Sequence, residues 1–266
     1  MELREFLGER YGEYHGIIKE AAVQVAQDPA DPEHLHVLRT YTRRLQTLIK
    51  SFGDCFEPEW AREANGFFKE IIDVSGEARD LDVFLSQNYE RLLPPKLLER
   101  YGPFGEQVRR RRESRYRALA RKFGSKRFAE ALEAFGRCVF ADAACGEAKE
   151  RIEQALEALD KKPPAKSLHK LRIRYKRRRY LTELLGYFED VSKRLRKLKK
   201  ITDHLGRYHD LLVHEELIFE MVGARAPRES LLPAGKIAGD LEQKRLRRQK
   251  KLLRRFKDEL AKDAKE

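Results

Sequence analysis

Two stretches of this chain, HVLRTYTRRL at residues 36–45 and HKLRIRYKRR at 169–178, share the pattern H-x-x-R-x-x-x-[KR]-R at an offset of 133. Each is followed by a second match, at an offset of 130, in which SGEARDLDV (75–83) lies over LGRYHDLLV (205–213). Gly76 then falls on Gly206, Asp80 on Asp210 and Lys69 on Lys199. Two ordered matches at nearly one offset indicate an internal duplication. Whatever fold the chain adopts must accommodate the same unit twice: a helix beginning with the H-x-x-R pattern, a turn, and a second long helix carrying G-x-x-[RH]-D.

Helical periodicity dominates, and no run of alternating apolar and polar residues rich in Val, Ile and Thr interrupts it. The fold class is all-α. Breakers at Asp28-Pro29, Glu57-Pro58, Pro94-Pro95, Gly102-Pro103, Lys162-Pro163-Pro164, Ala226-Pro227 and Pro233-Ala234-Gly235 punctuate the pattern. They predict helices near 2–27, 33–52, 58–90, 104–123, 126–160, 166–188, 190–222 and 236–262. Short connections favour antiparallel neighbours, so the expectation is two pseudo-symmetric four-helix bundle repeats, about 1–135 and 136–266, within a single domain spanning 1–266. A pseudo-twofold between them would set the two H-x-x-R helices opposite one another.

The helix holding the first motif starts where Asp31 can cap it and Pro32 suits the first turn. Leu35, Leu38, Leu45, Leu48, Ile49 and Phe52 form one stripe, a core face. At about 100° per residue, His36, Arg39, Arg43 and Lys50 fall within another arc of about 60°. In the second copy that arc holds His169, Arg172, Lys176, Arg179 and Tyr180, and Arg177 matches Arg44. An aligned row of cations at i, i+3 and i+7 can follow an extended polyanion. Arg offers phosphate two parallel hydrogen bonds and keeps its charge, Lys adds a point charge, and His adds a donor that responds to pH.

The balance of the whole chain agrees: 57 Lys and Arg against 44 Asp and Glu leave a formal charge of +13, and 41% hydrophobic residues suffice for a core. The basic residues are concentrated in 108–122, 167–180, 193–200 and 244–257, while acids gather elsewhere, as in 57–70. One such run is ordinarily a solvated helix face. Four of them, in a chain with a core, point to a bound anion that relieves their mutual repulsion. Three cysteines give no disulfide framework and no metal-site spacing; Cys138 and Cys145, seven apart, are expected as buried thiols sharing an apolar helix face. An N-terminus without an apolar segment, and no run of eighteen apolar residues anywhere, lead to the expectation of a cytoplasmic protein with no membrane contact.

The doubled motif, with HKLRIRYKRRRYLTELL as its second copy and a G-x-x-[RH]-D segment after each, resembles the CHAD family, the conserved histidine α-helical domain, over essentially the whole chain. The resemblance implies long antiparallel helices around a central basic pore that binds inorganic polyphosphate. Carried onto this sequence, it places His36, Arg39, Arg43, Arg44 and Lys50 on one wall and His169, Arg172, Lys176, Arg177, Arg179 and Tyr180 on the other. Arg79, Arg112, Arg115 and Lys199 add to the lining. Asp80 and Asp210 orient these cations, since a carboxylate facing phosphate would repel it. Two positions depart from the repeat: Ser75 stands where the second copy has Leu205, and His209 where the first has Arg79. The E-x-E-x-K hallmark of the triphosphate-tunnel domain is absent, so a standalone binding module is expected, without a cofactor or a metal. Its expected partners are polyphosphate and polyphosphate-metabolising enzymes or granule proteins, and its expected place is the polyphosphate granule.

Catalysis has little support. Asp80 and Asp82 make a D-x-D, but His204 and His209 lie about 140° apart on a helix, and no phosphate-binding loop, nucleophile elbow or paired-His zinc motif occurs. Non-specific DNA or RNA binding is the nearer alternative, because it uses the same cations. It would be served by aromatic platforms among them, whereas Tyr41, Phe52, Tyr116, Phe123 and Tyr175 fall on or beside apolar stripes.

Overall fold

A computed structural model describes residues 1–89, 102–142, 145–222 and 228–261. Among the described residues the chain is helical apart from turns, short irregular connections and three isolated bridges. In chain order the helices are α1 (Leu3–Gln27), α2 (Pro32–Ser51), α3 (Pro58–Val74), α4 (Gly76–Val83), α5 (Gly102–Phe123), α6 (Lys126–Ala134), α7 (Ala148–Asp160), α8 (Leu168–Leu185), α9 (Ser192–Met221) and α10 (Arg228–Arg255). The expected all-α class holds.

The helix starts follow from local chemistry. Asp31 accepts from the Glu33 amide at 2.8 Å with Pro32 behind it, and the Glu57 carboxylate accepts from Glu59 and Trp60 at 3.0 and 2.6 Å with Pro58 in the first turn. Ser125 caps α6 by accepting from Phe128 at 3.2 Å. Each such cap satisfies an amide that the first turn leaves without a partner, and is worth about 1 kcal/mol.

The chain divides into two compact units. The first comprises Met1–Arg79, Arg115–Lys162 and Arg177–Arg196. Here α1 packs on α2 and α7, and α2 on α3. The apolar stripe of α2 enters the core of this unit, with Leu35, Leu38, Leu45, Leu48 and Ile49 fully buried beside Phe6, Tyr11, Phe68 and Leu181. At roughly 1.5–3 kcal/mol per buried aliphatic side chain, that stripe is what fixes the face α2 turns outward.

The second unit comprises Asp80–Ser114, Pro163–Lys176 and Lys197–Glu266. It holds two apolar clusters. One joins Leu81, Phe84, Phe104 and Val108 to Ile218 and Leu241; the other joins Leu171 and Tyr175 to Leu205, Tyr208, Leu252 and Phe256.

Three expected helices turn out differently. The helix expected over 58–90 is broken at Ser75 and continues as α4 and then a π-helical segment, Phe84–Tyr89. The Ser75 hydroxyl donates to the Ile71 carbonyl at 2.6 Å and the Ile72 carbonyl accepts from Arg39 at 2.5 Å, so side chains occupy acceptors that the ladder would use. The helix expected over 126–160 is two, α6 and α7, separated by a non-helical stretch of which 135–142 and 145–147 are described. Its backbone bonds Val139 to Glu57 and Ala141 to Cys55, and Gly146, at φ 73°, turns the chain so that its carbonyl meets the Leu3 amide at 2.8 Å. Cys138 and Cys145 lie in and at the end of that stretch rather than on a helix face; Cys145 is buried with Cys55 and Cys138 is half-buried. Finally, α10 begins at Arg228 and carries Pro233 inside it, so the expected break at 233–235 does not occur. A proline this close to a helix start sacrifices a single ladder bond. The turns expected at Pro94-Pro95 and Ala226-Pro227 fall outside the described residues.

Candidate anion-binding site

In the first unit, the outward arc of α2 carries the first row of cations. His36 is exposed near its start. Arg39 is half-buried and donates to the Ile72 carbonyl and, at 2.6 Å, to the Ser75 hydroxyl. One turn on, Arg44 meets Glu183 at 2.9 Å and lies over the Tyr41 ring at 4.6 Å. Burial alone would lower the Arg44 pKa; Glu183, followed by Tyr41, outweighs it and raises it. Glu183 also takes Arg179 at 3.0 Å, so one carboxylate of α8 holds two of the expected lining cations.

Near the C-terminal end of α2 the balance reverses. Arg177 donates to the Ser51 hydroxyl at 3.1 Å and to the Lys50 carbonyl at 3.0 Å, capping one carbonyl that the helix end leaves open, while burial lowers its own pKa. The Lys50 ammonium is held below its ordinary range by desolvation and then by Arg177, Lys69 and Arg43. Tyr180 is pushed up by burial despite Arg43 nearby. Residues of both motif copies, Arg43 and Lys50 from the first and Arg177 and Tyr180 from the second, are therefore neighbours within one unit. Arg79 is half-buried on α4, and Arg115 is exposed and paired with Glu77 at 2.6 Å.

The second unit holds the rest. His169 is exposed with its ring 5.2 Å from that of His209, its matched position in the first copy being Arg79. Arg172 and Lys176 are half-buried on α8, and Lys199 is exposed on α9. Arg112 is bound to Asp82 at 2.6 Å, and the Asp82 side chain is only 4% exposed. This partner makes Arg112 the counter-charge of a buried carboxylate, the second acid of the D-x-D. Asp80 and Asp210 are half-buried, and the Asp80 backbone bonds the side chain of buried His214, whose pKa desolvation lowers to about 4.

Glu183, Ser75 and Ser51 are partners of these cations that the repeated motif does not signal. Glu183 was findable as the i+4 neighbour of Arg179; nothing local signals that Ser51 meets Arg177, 126 residues away. Among the described residues no group of three or more His, Cys, Asp and Glu is placed to hold a metal ion, and no helix is long and apolar enough to cross a membrane.

The fold has known counterparts. The crystal structure of the CHAD domain from the plant Ricinus communis superposes with a TM-score of 0.75 at 25% identity, covering 93% of this chain and 88% of that one. PptA from Streptomyces chartreusis gives a TM-score of 0.67 at 13% identity, over 93% of this chain and 96% of that one, a likeness of fold. No curated protein matches in sequence. The family model described as the CHAD domain matches residues 17–218, three quarters of the chain and both copies of the repeated motif. The chain belongs to the CHAD domain family.

Proposed function

We propose that this protein binds inorganic polyphosphate without transforming it, and that the binding serves to place it at polyphosphate granules or to regulate a polyphosphate-metabolising enzyme. CHAD domains are associated with polyphosphate-related proteins, and that membership supplies the ligand class. The observation that carries the reading is the cluster of Arg43, Lys50, Lys69 and Arg177, in which Arg177 reaches the Lys50 carbonyl at 3.0 Å and the Lys50 ammonium is lowered by desolvation and then by the other three cations. Like charges held together cost free energy, and an anion with several charges relieves it. Polyphosphate meets that need with densely spaced oxygens that Arg can take in pairs. On the same reading, His36, His169, Arg172, Lys176 and Lys199 extend the contact along exposed and half-buried helix faces, while Arg39 and Arg112 serve first as scaffold.

The test is competition at near-physiological salt. A labelled long-chain polyphosphate is displaced by unlabelled polyphosphate far better than by duplex DNA of equal phosphate content. The double variant Lys50→Gln/Arg177→Gln binds it at least about tenfold more weakly, as the loss of two charge-assisted contacts implies. Equal displacement by DNA would favour general nucleic-acid binding, and release of free phosphate on incubation would make the protein an enzyme.

A further inference from the structure

Two of the cysteines, far apart in sequence, lie together in the core of the first unit, and neither belongs to the proposed anion lining. Cys55 ends the short 3-10 helical turn Gly53–Cys55 after α2, and Cys145 stands just before Gly146 and the start of α7. Cys55 is fully buried and Cys145 is 5% exposed. Their side chains are within hydrogen-bonding reach of one another.

The surrounding backbone holds them there from both flanks. Arg151, near the start of α7, reaches both segments: Nη1 donates to the Cys145 carbonyl at 3.1 Å, and Nη2 to the carboxylate of Asp54, the neighbour of Cys55, at 2.5 Å. The Cys55 carbonyl accepts from the Ala141 amide at 3.0 Å, and Phe56 pairs with Phe140 in an isolated antiparallel bridge. On the other flank, the Gly146 carbonyl accepts from the Leu3 amide at 2.8 Å, and the Ala148 amide donates to the Met1 carbonyl at 3.1 Å. Two groups held this way react with one another as though each were very concentrated.

A structural zinc site takes four ligands, and among the described residues no group of three or more His, Cys, Asp and Glu is placed to hold a metal ion. As core filler, two thiols would need no cation beside them, yet the Arg151 guanidinium interacts with both. A neighbouring cation favours the thiolate, the form that attacks an oxidant.

We infer that Cys55 and Cys145 are an oxidisable pair, closed to a reversible disulfide by hydrogen peroxide, which locks the start of α7 to the turn between α2 and α3. Cys145, the less buried sulfur, attacks peroxide; the O–O bond breaks, one oxygen stays on sulfur as a sulfenic acid and the other leaves as water. The Cys55 sulfur then displaces the hydroxyl, which leaves as a second water as the S–S bond forms. The two thiols lose two electrons, peroxide gains them, and both thiol protons end in water. Burial, followed by Cys145, pushes the Cys55 thiol up to about 12, so the second step is the slow one and the sulfenic acid accumulates first.

The reduced full chain is exposed to hydrogen peroxide, then denatured and alkylated, and its free thiols are read by mass spectrometry. Cys138 is expected to remain free, with Cys55 and Cys145 recovered in one cross-linked peptide that dithiothreitol separates. A disulfide closing a loop of about ninety residues is expected to raise the melting temperature by at least about 5 °C. Cys138→Ser keeps the cross-link, whereas Cys55→Ala abolishes it and leaves a Cys145 sulfenic acid that dimedone captures. Should Cys55→Ala not fold, Cys145→Ala takes its place, and loses both the cross-link and the dimedone adduct at position 145. Three alkylated thiols after peroxide treatment of the folded wild type would overturn the inference. So would a cross-link through Cys138, or an oxidised protein that melts no higher than the reduced one.

Discussion

Glu183 neutralises Arg44: Oε2 of the one lies 2.9 Å from Nη2 of the other, joining α8 to α2 inside the first unit. Because Arg179 shares the same carboxylate, Glu183 spends its charge on two residues of the proposed lining. Glu183→Gln is therefore expected to have opposite effects on stability and binding. It lowers stability by roughly 1–3 kcal/mol, the cost of weakening a partly buried network. It raises polyphosphate affinity up to about twofold, because a unit charge acting across water over a separation of about 8 Å is worth about 0.5 kcal/mol. Denaturant unfolding and a binding titration on the same variant check both signs.

Arg39 has a structural duty that its position in the motif does not reveal. Replacing it with Ala removes the guanidinium that donates to the Ile72 carbonyl and the Ser75 hydroxyl, at the break between α3 and α4. Arg39→Ala is expected to cost about 1–3 kcal/mol of unfolding free energy, with Arg39→Lys recovering part of it. A melting temperature equal to that of the wild type would show that the two bonds contribute nothing net.

Arg112→Ala takes away the guanidinium that lies 2.6 Å from the buried Asp82 carboxylate, and removing one member of such a pair costs about 3–5 kcal/mol. The pair replaced together, as Asp82→Leu with Arg112→Met, loses much less, since the buried charge leaves together with its cation. A double-mutant cycle by chemical unfolding gives the coupling directly.

Acid weakens the second unit through His214. Its pKa falls from 6.5 in the unfolded chain to about 4 in the folded one, so between these values the unfolded state takes up the extra proton. The stabilisation is complete above pH 6.5 and is lost as the pH falls toward 4, by up to about 3 kcal/mol from this group. Unfolding of His214→Gln across that range should show a shallower decline, and an unchanged slope would assign the acid sensitivity to other groups.

How much of this was written locally can be judged residue by residue. The α2 helix was legible to its caps, because Asp31, Pro32 and the leucine stripe are neighbours along the chain. The gap between α6 and α7 was not: its extended backbone is held by Cys55, Glu57 and Leu3, partners from another part of the sequence, and only Gly136 and Gly146 hint at it. The same holds for the cations. The motif aligned Arg39, Arg44 and Lys50, yet what each one does depended on Ser75, Glu183 and Arg177, and those meetings are tertiary. The surroundings of the basic run 244–257 were hidden for the same reason, since such a run has no address until its helix is packed.

The first unit is assembled from three separate lengths of chain, and its apolar core includes Leu181, Leu184, Leu185 and Val191. On the ribosome the first 79 residues must wait for some hundred more before those leucines exist, about 5–20 s at ordinary rates of synthesis. Through that interval α1, α2 and α3 present an unfilled apolar face to the cell, so the nascent chain, more than the finished protein, is where chaperones are needed. A stop codon anywhere before the end of α8 leaves that face open permanently, and the truncated product is marked for aggregation or proteolysis.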